Sequence, residues 1–167
     1  NSGGGIYLYR NNNTYNPCLK LSGGTIRGNH AGSSAGGVGY YNAGTPVIEL
    51  SGAPVVTGNT KGTSKLKNNI DLNIQAAKLT ISGALGKDAQ LGVTPGSKDN
   101  GVEFTSGWDD YAHGADYNAI FTSDDSDFVV LLSNNNELMF HKHYMTYQKD
   151  ETTAGKITGT CTCGAEA

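Results

Sequence analysis

The chain has 167 residues, with 12 Lys and Arg against 15 Asp and Glu, for a net charge of −3. That balance and a pI near 5.7 leave no basic stripe of the kind nucleic-acid binders carry, and no apolar run approaches the ~20 residues of a membrane span. The 24 Gly lack the every-third spacing of collagen; set among Asn, Ser and Thr, they mark tight turns between short strands in one domain, or one domain with a terminal elaboration.

From its N-terminus the chain writes one phrase three times. Leu19-Lys20-Leu21-Ser22-Gly23 recurs as Ile48-Glu49-Leu50-Ser51-Gly52 and as Leu79-Thr80-Ile81-Ser82-Gly83. Gly28-Asn29 recurs as Gly58-Asn59, and Gly4-Gly5-Ile6 as Gly36-Gly37-Val38. Markers stepping together by about 30 positions are the signature of a solenoid. Each marker is an alternating apolar fragment ended by Gly, so the turns are built of strands.

Three strands per coil are predicted. The first coil runs through Ile6 to Tyr9, Leu19 to Leu21 and Thr25 to Arg27; the second uses Val38, Ile48, Leu50 and Val55 or Val56. The third uses Ile70-Asp71-Leu72, Leu79-Thr80-Ile81 and Leu91-Gly92-Val93. Period-2 geometry turns Ile6, Leu8, Leu21, Ile26, Val38, Ile48, Leu50, Leu72, Leu79 and Ile81 inward. Asn29 and Asn59 should stack at one corner, and Ser22, Ser51 and Ser82 at another, bonding along the axis as structural ladders.

From Gly101 the pattern changes. Asp127-Phe128-Val129-Val130-Leu131-Leu132 and Glu137-Leu138-Met139-Phe140-His141-Lys142-His143, joined by Asn134-Asn135-Asn136, read as a hairpin. A solenoid needs such a unit, because its last coil otherwise exposes core and a free edge. No stretch has a helical period. The expected division is coils over 1–100, capping strands over 101–157 and a linker toward a further domain over 158–167. Beginning at Asn1 with no Met, the chain reads as a piece of a longer protein.

These residues resemble a known family. Gly-Gly-Gly-Ile-Tyr-Leu-Tyr and Leu-Ser-Gly-Gly-Thr-Ile-Arg-Gly-Asn are similar to the right-handed parallel β-helix repeats of large surface proteins of Gram-positive bacteria. The match covers residues 3–9, 19–29, 36–40 and 48–59, and extends to Leu91-Gly92-Val93-Thr94, Phe121-Thr122-Ser123-Asp124 and Glu137-Leu138-Met139-Phe140. Ala53-Pro54 and Cys18 depart from the repeat. The resemblance implies an all-β, right-handed parallel β-helix of about three coils with a C-terminal β-hairpin cap, in an extracellular, cell-surface or wall-attached protein. It supplies no catalytic residues.

Several groupings bear on chemistry. Tyr9 and Tyr41 correspond in the repeat and should face outward one coil apart, with Tyr7 beside them; stacked aromatic faces suit a sugar ring, and equally stiffen a sheet. Asp124, Asp125 and Asp127 offer oxygens for calcium, which needs six or more, and also make a good turn. Asp109, Asp110, His113 and Asp116 match no metal motif and read as a polar surface loop. His141 and His143 share a strand face and can share a metal only if a further ligand arrives from another strand; by themselves they read as a solvated pair. Cys161 and Cys163 would make a strained bridge with each other. With no Cys or His nearby in sequence they fall short of zinc's four ligands, and their partners are expected outside this chain.

Two functions compete. One is a non-enzymatic structural or adhesive module, with glycans or surface proteins as partners, no cofactor unless calcium, no nucleic acid and no membrane span. The other is a polysaccharide lyase or glycosidase on the same fold. A glycosidase needs two carboxylates facing one groove, and the coils offer only Glu49, Asp71 and Asp88, expected to point outward from different coils. The lysines at 61, 65 and 67 read as a solvated loop, and Arg10 and Arg27 have no acidic companion in their strands.

Overall fold

The computed structural model describes residues 4–9, 16–40, 46–73, 78–112, 114–149, 157–161 and 163, together with the backbone alone at Tyr41. Their parallel sheets stack as a β-solenoid of about three turns. The first coil is β1 (Ile6–Tyr9), β2 (Cys18–Leu21), β3 (Thr25–Arg27) and β4 (His30–Ala31). The second is β5 (Val38–Tyr41), β6 (Val47–Gly52), β7 (Val55–Thr57) and β8 (Thr60–Lys61), and β9 (Leu66–Lys67) folds back on β8. The third is β10 (Ile70–Asp71), β11 (Leu79–Leu85) and β12 (Gln90–Thr94). The first two coils thus carry a short fourth strand, β4 on β8, which was too brief to show an alternation.

Register places like on like. Ile6, Val38 and Ile70 align, as do Leu19, Ile48 and Leu79, and Ile26, Val56 and Leu91. Leu50 aligns with Leu21 and Ile81 and is fully buried. Each such aliphatic side chain removed from water contributes about 1.5–3 kcal/mol. Strand β12 serves two stacks: Gln90 and Leu91 pair with β7, while Val93 and Thr94 pair with β10. That is why the Gly-Asn turn is missing from the third coil.

The expected boundary at residue 100 shifts. β14 (Thr105–Ser106) adds to β11, and β15 (Phe121–Ser123) adds to β12, so a partial fourth turn comes from the segment expected to cap. The cap itself is a three-stranded antiparallel sheet of β13 (Val102–Glu103), β17 (Leu138–Lys142) and β16 (Phe128–Leu132). Two helices, α1 (Trp108–Ala112) and α2 (Tyr117–Ile120), contradict the reading of no helix. Each is about one turn long, too short to display a period; Asp116 caps α2 by accepting from the N–H groups of Asn118 and Ala119.

One core runs through coils and cap. Phe104 stacks on Phe140 at 4.4 Å, and Phe121 meets Phe104 edge-on at 5.8 Å and Trp108 at 6.0 Å. The expected linker over 158–167 is corrected at its start: β19 (Ile157–Thr160) pairs antiparallel with β18 (Thr146–Lys149), and Cys161 is buried. Among the described residues, no helix is long and apolar enough to cross a membrane.

Candidate functional site

The coil corners carry a polar ladder longer than the repeat suggests. Asn29 donates its backbone N–H and its amide to Asn59 Oδ1, at 3.0 and 2.9 Å. Asn59 makes the same pair of bonds to Asn69 Oδ1, at 2.9 and 3.0 Å. Asn69 in turn donates to both carboxylate oxygens of Asp124. Asn59 is fully buried, and its amide also reaches the Ile26 carbonyl at 2.9 Å. Gly58, like Gly28, holds a left-handed backbone that aims the next residue's side chain into the coil (φ 66° and 73°). Gly37 lies against the rung: a Cβ there would meet Asn59 Nδ2 at 2.9 Å and, closer still, the Asn69 carbonyl oxygen. The recurring Gly-Gly and Gly-Asn markers are therefore two halves of one device.

At the serine corner, the Ser82 hydroxyl donates to the Leu50 carbonyl at 3.4 Å, and Ser22 and Ser51 follow the aligned Leu21 and Leu50.

Several of the acidic residues are engaged by neighbouring parts of the fold. Asp124 accepts from Asn69 and from the Thr94 hydroxyl (2.7 Å). Asp125 accepts the Lys98 ammonium and the Asp127 N–H, and the lysine holds its carboxyl below the usual range. Asp71, expected to face outward, is buried beneath the β8–β9 hairpin, accepting from Lys61 (2.9 Å) and Asn68 (3.0 Å). Glu137 reaches the start of α1, accepting from the Gly107 N–H (2.7 Å), the Trp108 N–H (3.3 Å) and the Thr105 hydroxyl (2.8 Å). Asp109 and Asp110 are exposed in the first turn of α1; His113 lies outside the described residues.

Of the aromatic candidates, Tyr9 is 56% exposed and in register with Tyr41, while Tyr7 is half-buried opposite Gly39. The side chain of Tyr41 lies outside the described residues.

The grouping with the most chemistry joins four residues that sequence reasoning kept apart. His141 is the next-to-last residue of β17 and His143 follows two residues on, held by donation of its N–H to the Asp127 carbonyl at 2.9 Å. β18 and β19 then double the chain back, bringing Cys161 and Cys163 to the two histidines. Cys161 Sγ lies 3.5 Å from His141 Nε2, and Cys163 Sγ lies 3.2 Å from His143 Nδ1. The donor atoms of His141, Cys161 and Cys163 all fall within 4.8 Å of one another, the one such convergence of three or more His, Cys, Asp or Glu among the described residues, and His143 stands just outside it, beside Cys163. The backbone N–H of Cys163 is the main cause lowering the Cys161 thiol to about 5, with the Cys163 thiol and His141 adding to it. The cysteines' partners lie within the chain, against the expectation that they lay outside it. The available signal was a matched pair of spacings, His-X-His and Cys-X-Cys, each putting two donors on one face of an extended segment. Cys18, by contrast, is exposed on β2.

No family model, curated protein or solved structure matches the chain.

Proposed function

We propose that this chain is a non-enzymatic structural module of a bacterial surface protein, the closing coils and cap of an extracellular solenoid stalk. The observation that carries the reading is the use made of its acids. Asp71, Asp124 and Glu137 bind backbone and side-chain groups of neighbouring coils and cap. Hydrolysis of a glycosidic bond instead needs two carboxylates across a sugar-sized groove, with room for substrate between them. Acids that tie rung to rung serve cohesion along the axis, which is what a stalk requires. The resemblance of the repeats to those of cell-surface proteins points to the same place of action.

An adhesive role on this stalk rests on Tyr9, whose exposed ring on the first coil offers a flat apolar face to a pyranose. A glycan and polysaccharide array, run with and without calcium and followed by product analysis, tests both. The expected result is intact polysaccharide throughout, with any glycan retention lost in Tyr9→Ala. Depolymerised product would overturn the structural reading in favour of a lyase or glycosidase.

A further inference from the structure

We propose that His141, His143, Cys161 and Cys163 bind one zinc ion, which fastens the C-terminal hairpin to the cap. Tetrahedral zinc holds sulfur at about 2.3 Å and imidazole nitrogen at about 2.0–2.1 Å, so the edge between such donors is about 3.5 Å. The two sulfur–nitrogen contacts, 3.5 and 3.2 Å, already stand near that edge before any ion is added. Two thiolates and two neutral imidazoles cancel the ion's double charge, so Cys161 can be buried without leaving an unbalanced charge. Sulfur and imidazole donors select zinc over calcium or magnesium, which take oxygen. Three of the four donors already converge, and His143 would close on the ion from its place beside Cys163; four protein ligands then leave no open position, which is the arrangement of a structural rather than a catalytic site.

The hairpin supplies an independent reason. Among the described residues, β18 and β19 pair only with each other. All four residues of β18 are exposed, as is Ile157 of β19, and Tyr147 and Ile157 are each 64% exposed. A lone two-stranded hairpin without a core is marginal in water, and small elements of this kind are held by a bridge or a metal. The four donors stand at its open end: His143 precedes β18, and Cys161 and Cys163 follow β19. A zinc ion there would tie both ends of the hairpin to β17, and through it to the core.

The test uses the whole chain, reduced and stripped of metal, with Zn²⁺ or Co²⁺ as the only addition. Native mass spectrometry should show one zinc per chain. Cobalt should give the visible bands of a tetrahedral site and a thiolate-to-cobalt charge-transfer band in the near ultraviolet. Zinc should also protect the 146–160 hairpin from proteolysis, and chelation should expose it again. Cys161→Ser with Cys163→Ser, and separately His141→Ala with His143→Ala, should lose the stoichiometric ion and the protection, while Cys18→Ser keeps both. Should the histidine variant misfold, the near-isosteric serine variant carries the comparison, with an unchanged far-ultraviolet spectrum as its control. Zinc uptake by the serine variant equal to that of the parent would overturn the proposal. So would a parent with titratable free thiols that takes up neither metal, or one that closes a Cys161–Cys163 disulfide in preference to binding zinc.

Discussion

Asn59 Oδ1 accepts from both the backbone N–H and the side-chain amide of Asn29, one coil away. Because Asn59 passes the same pair of bonds to Asn69, and Asn69 to Asp124, the rungs form one directional chain of donors ending on a carboxylate. A carboxylate is the right terminus, since it accepts and has no donor left over.

Asn59→Ala removes an inner rung: the Asn29 donors lose their Oδ1 acceptor, and Asn69 Oδ1 and the Ile26 carbonyl lose the Asn59 amide. A loss of about 1–3 kcal/mol is expected for each group left unsatisfied, read as a lowered urea midpoint. Asn29→Ala, at the more exposed first rung, should cost less. Equal losses would mean the ladder is not a graded, buried device.

Asp124→Asn keeps the shape of the last rung and replaces one acceptor by a donor. Asn69 donates to both oxygens and Thr94 to one of them, so an N–H must then face an N–H or O–H. Hydrogen bonds to a charged acceptor contribute about 1.5–3 kcal/mol, and the variant should lose an amount of that order. Calcium should not restore its melting temperature if the Asp124 oxygens serve the ladder; restoration of the parent's stability by calcium would assign this turn to an ion instead.

The coils were legible because two periods coincide: alternation within a strand and recurrence near 30 between strands. Leu21, Leu50 and Ile81 show both, and they stack. Legibility failed where a local event replaced the period. Asn69 joins the ladder only 10 residues after Asn59, because the β8–β9 hairpin shortens the path, and no repeat spacing marks it. Asp71 is buried by the same hairpin. The helices escaped notice through brevity. The His and Cys pairs lie 20 residues apart, and only the antiparallel return of β19 on β18 joins them. Such a return depends on tertiary pairing rather than on any local motif.

Phe140→Ala should be the most damaging substitution in the cap. Its ring stacks on Phe104 at 4.4 Å and meets Phe128 edge-on at 6.2 Å, so it ties the cap sheet to the loop entering β14. Truncating a buried aromatic costs about 3–5 kcal/mol. For the same reason a 1–100 fragment, deprived of Phe104 and Phe121, should aggregate. A fragment that melts cooperatively and stays monomeric in sedimentation would show that the coils need no cap.

Glu103 gives the cap a dependence on pH. Asn135 chiefly, then Ser133 and Lys78, hold its carboxyl below its ordinary value of 4.5. The donors come from the β16–β17 turn and from Lys78 beside β11, so the ionised group links cap to coil (2.9, 2.8 and 3.1 Å). A carboxyl with a lowered folded pKa stabilises fully above its unfolded value, and that contribution disappears as pH falls through the folded one. Stability should therefore decline below about pH 4.5, and Glu103→Gln should remove part of that decline while leaving the slope at neutral pH unchanged. The group is still partly exposed, so the effect should be small and should shrink further in high salt. Urea titrations at pH 7 and at pH 3.5 measure it: an acid-induced loss identical in parent and variant would mean that the bonds to Ser133, Asn135 and Lys78 contribute nothing to the junction.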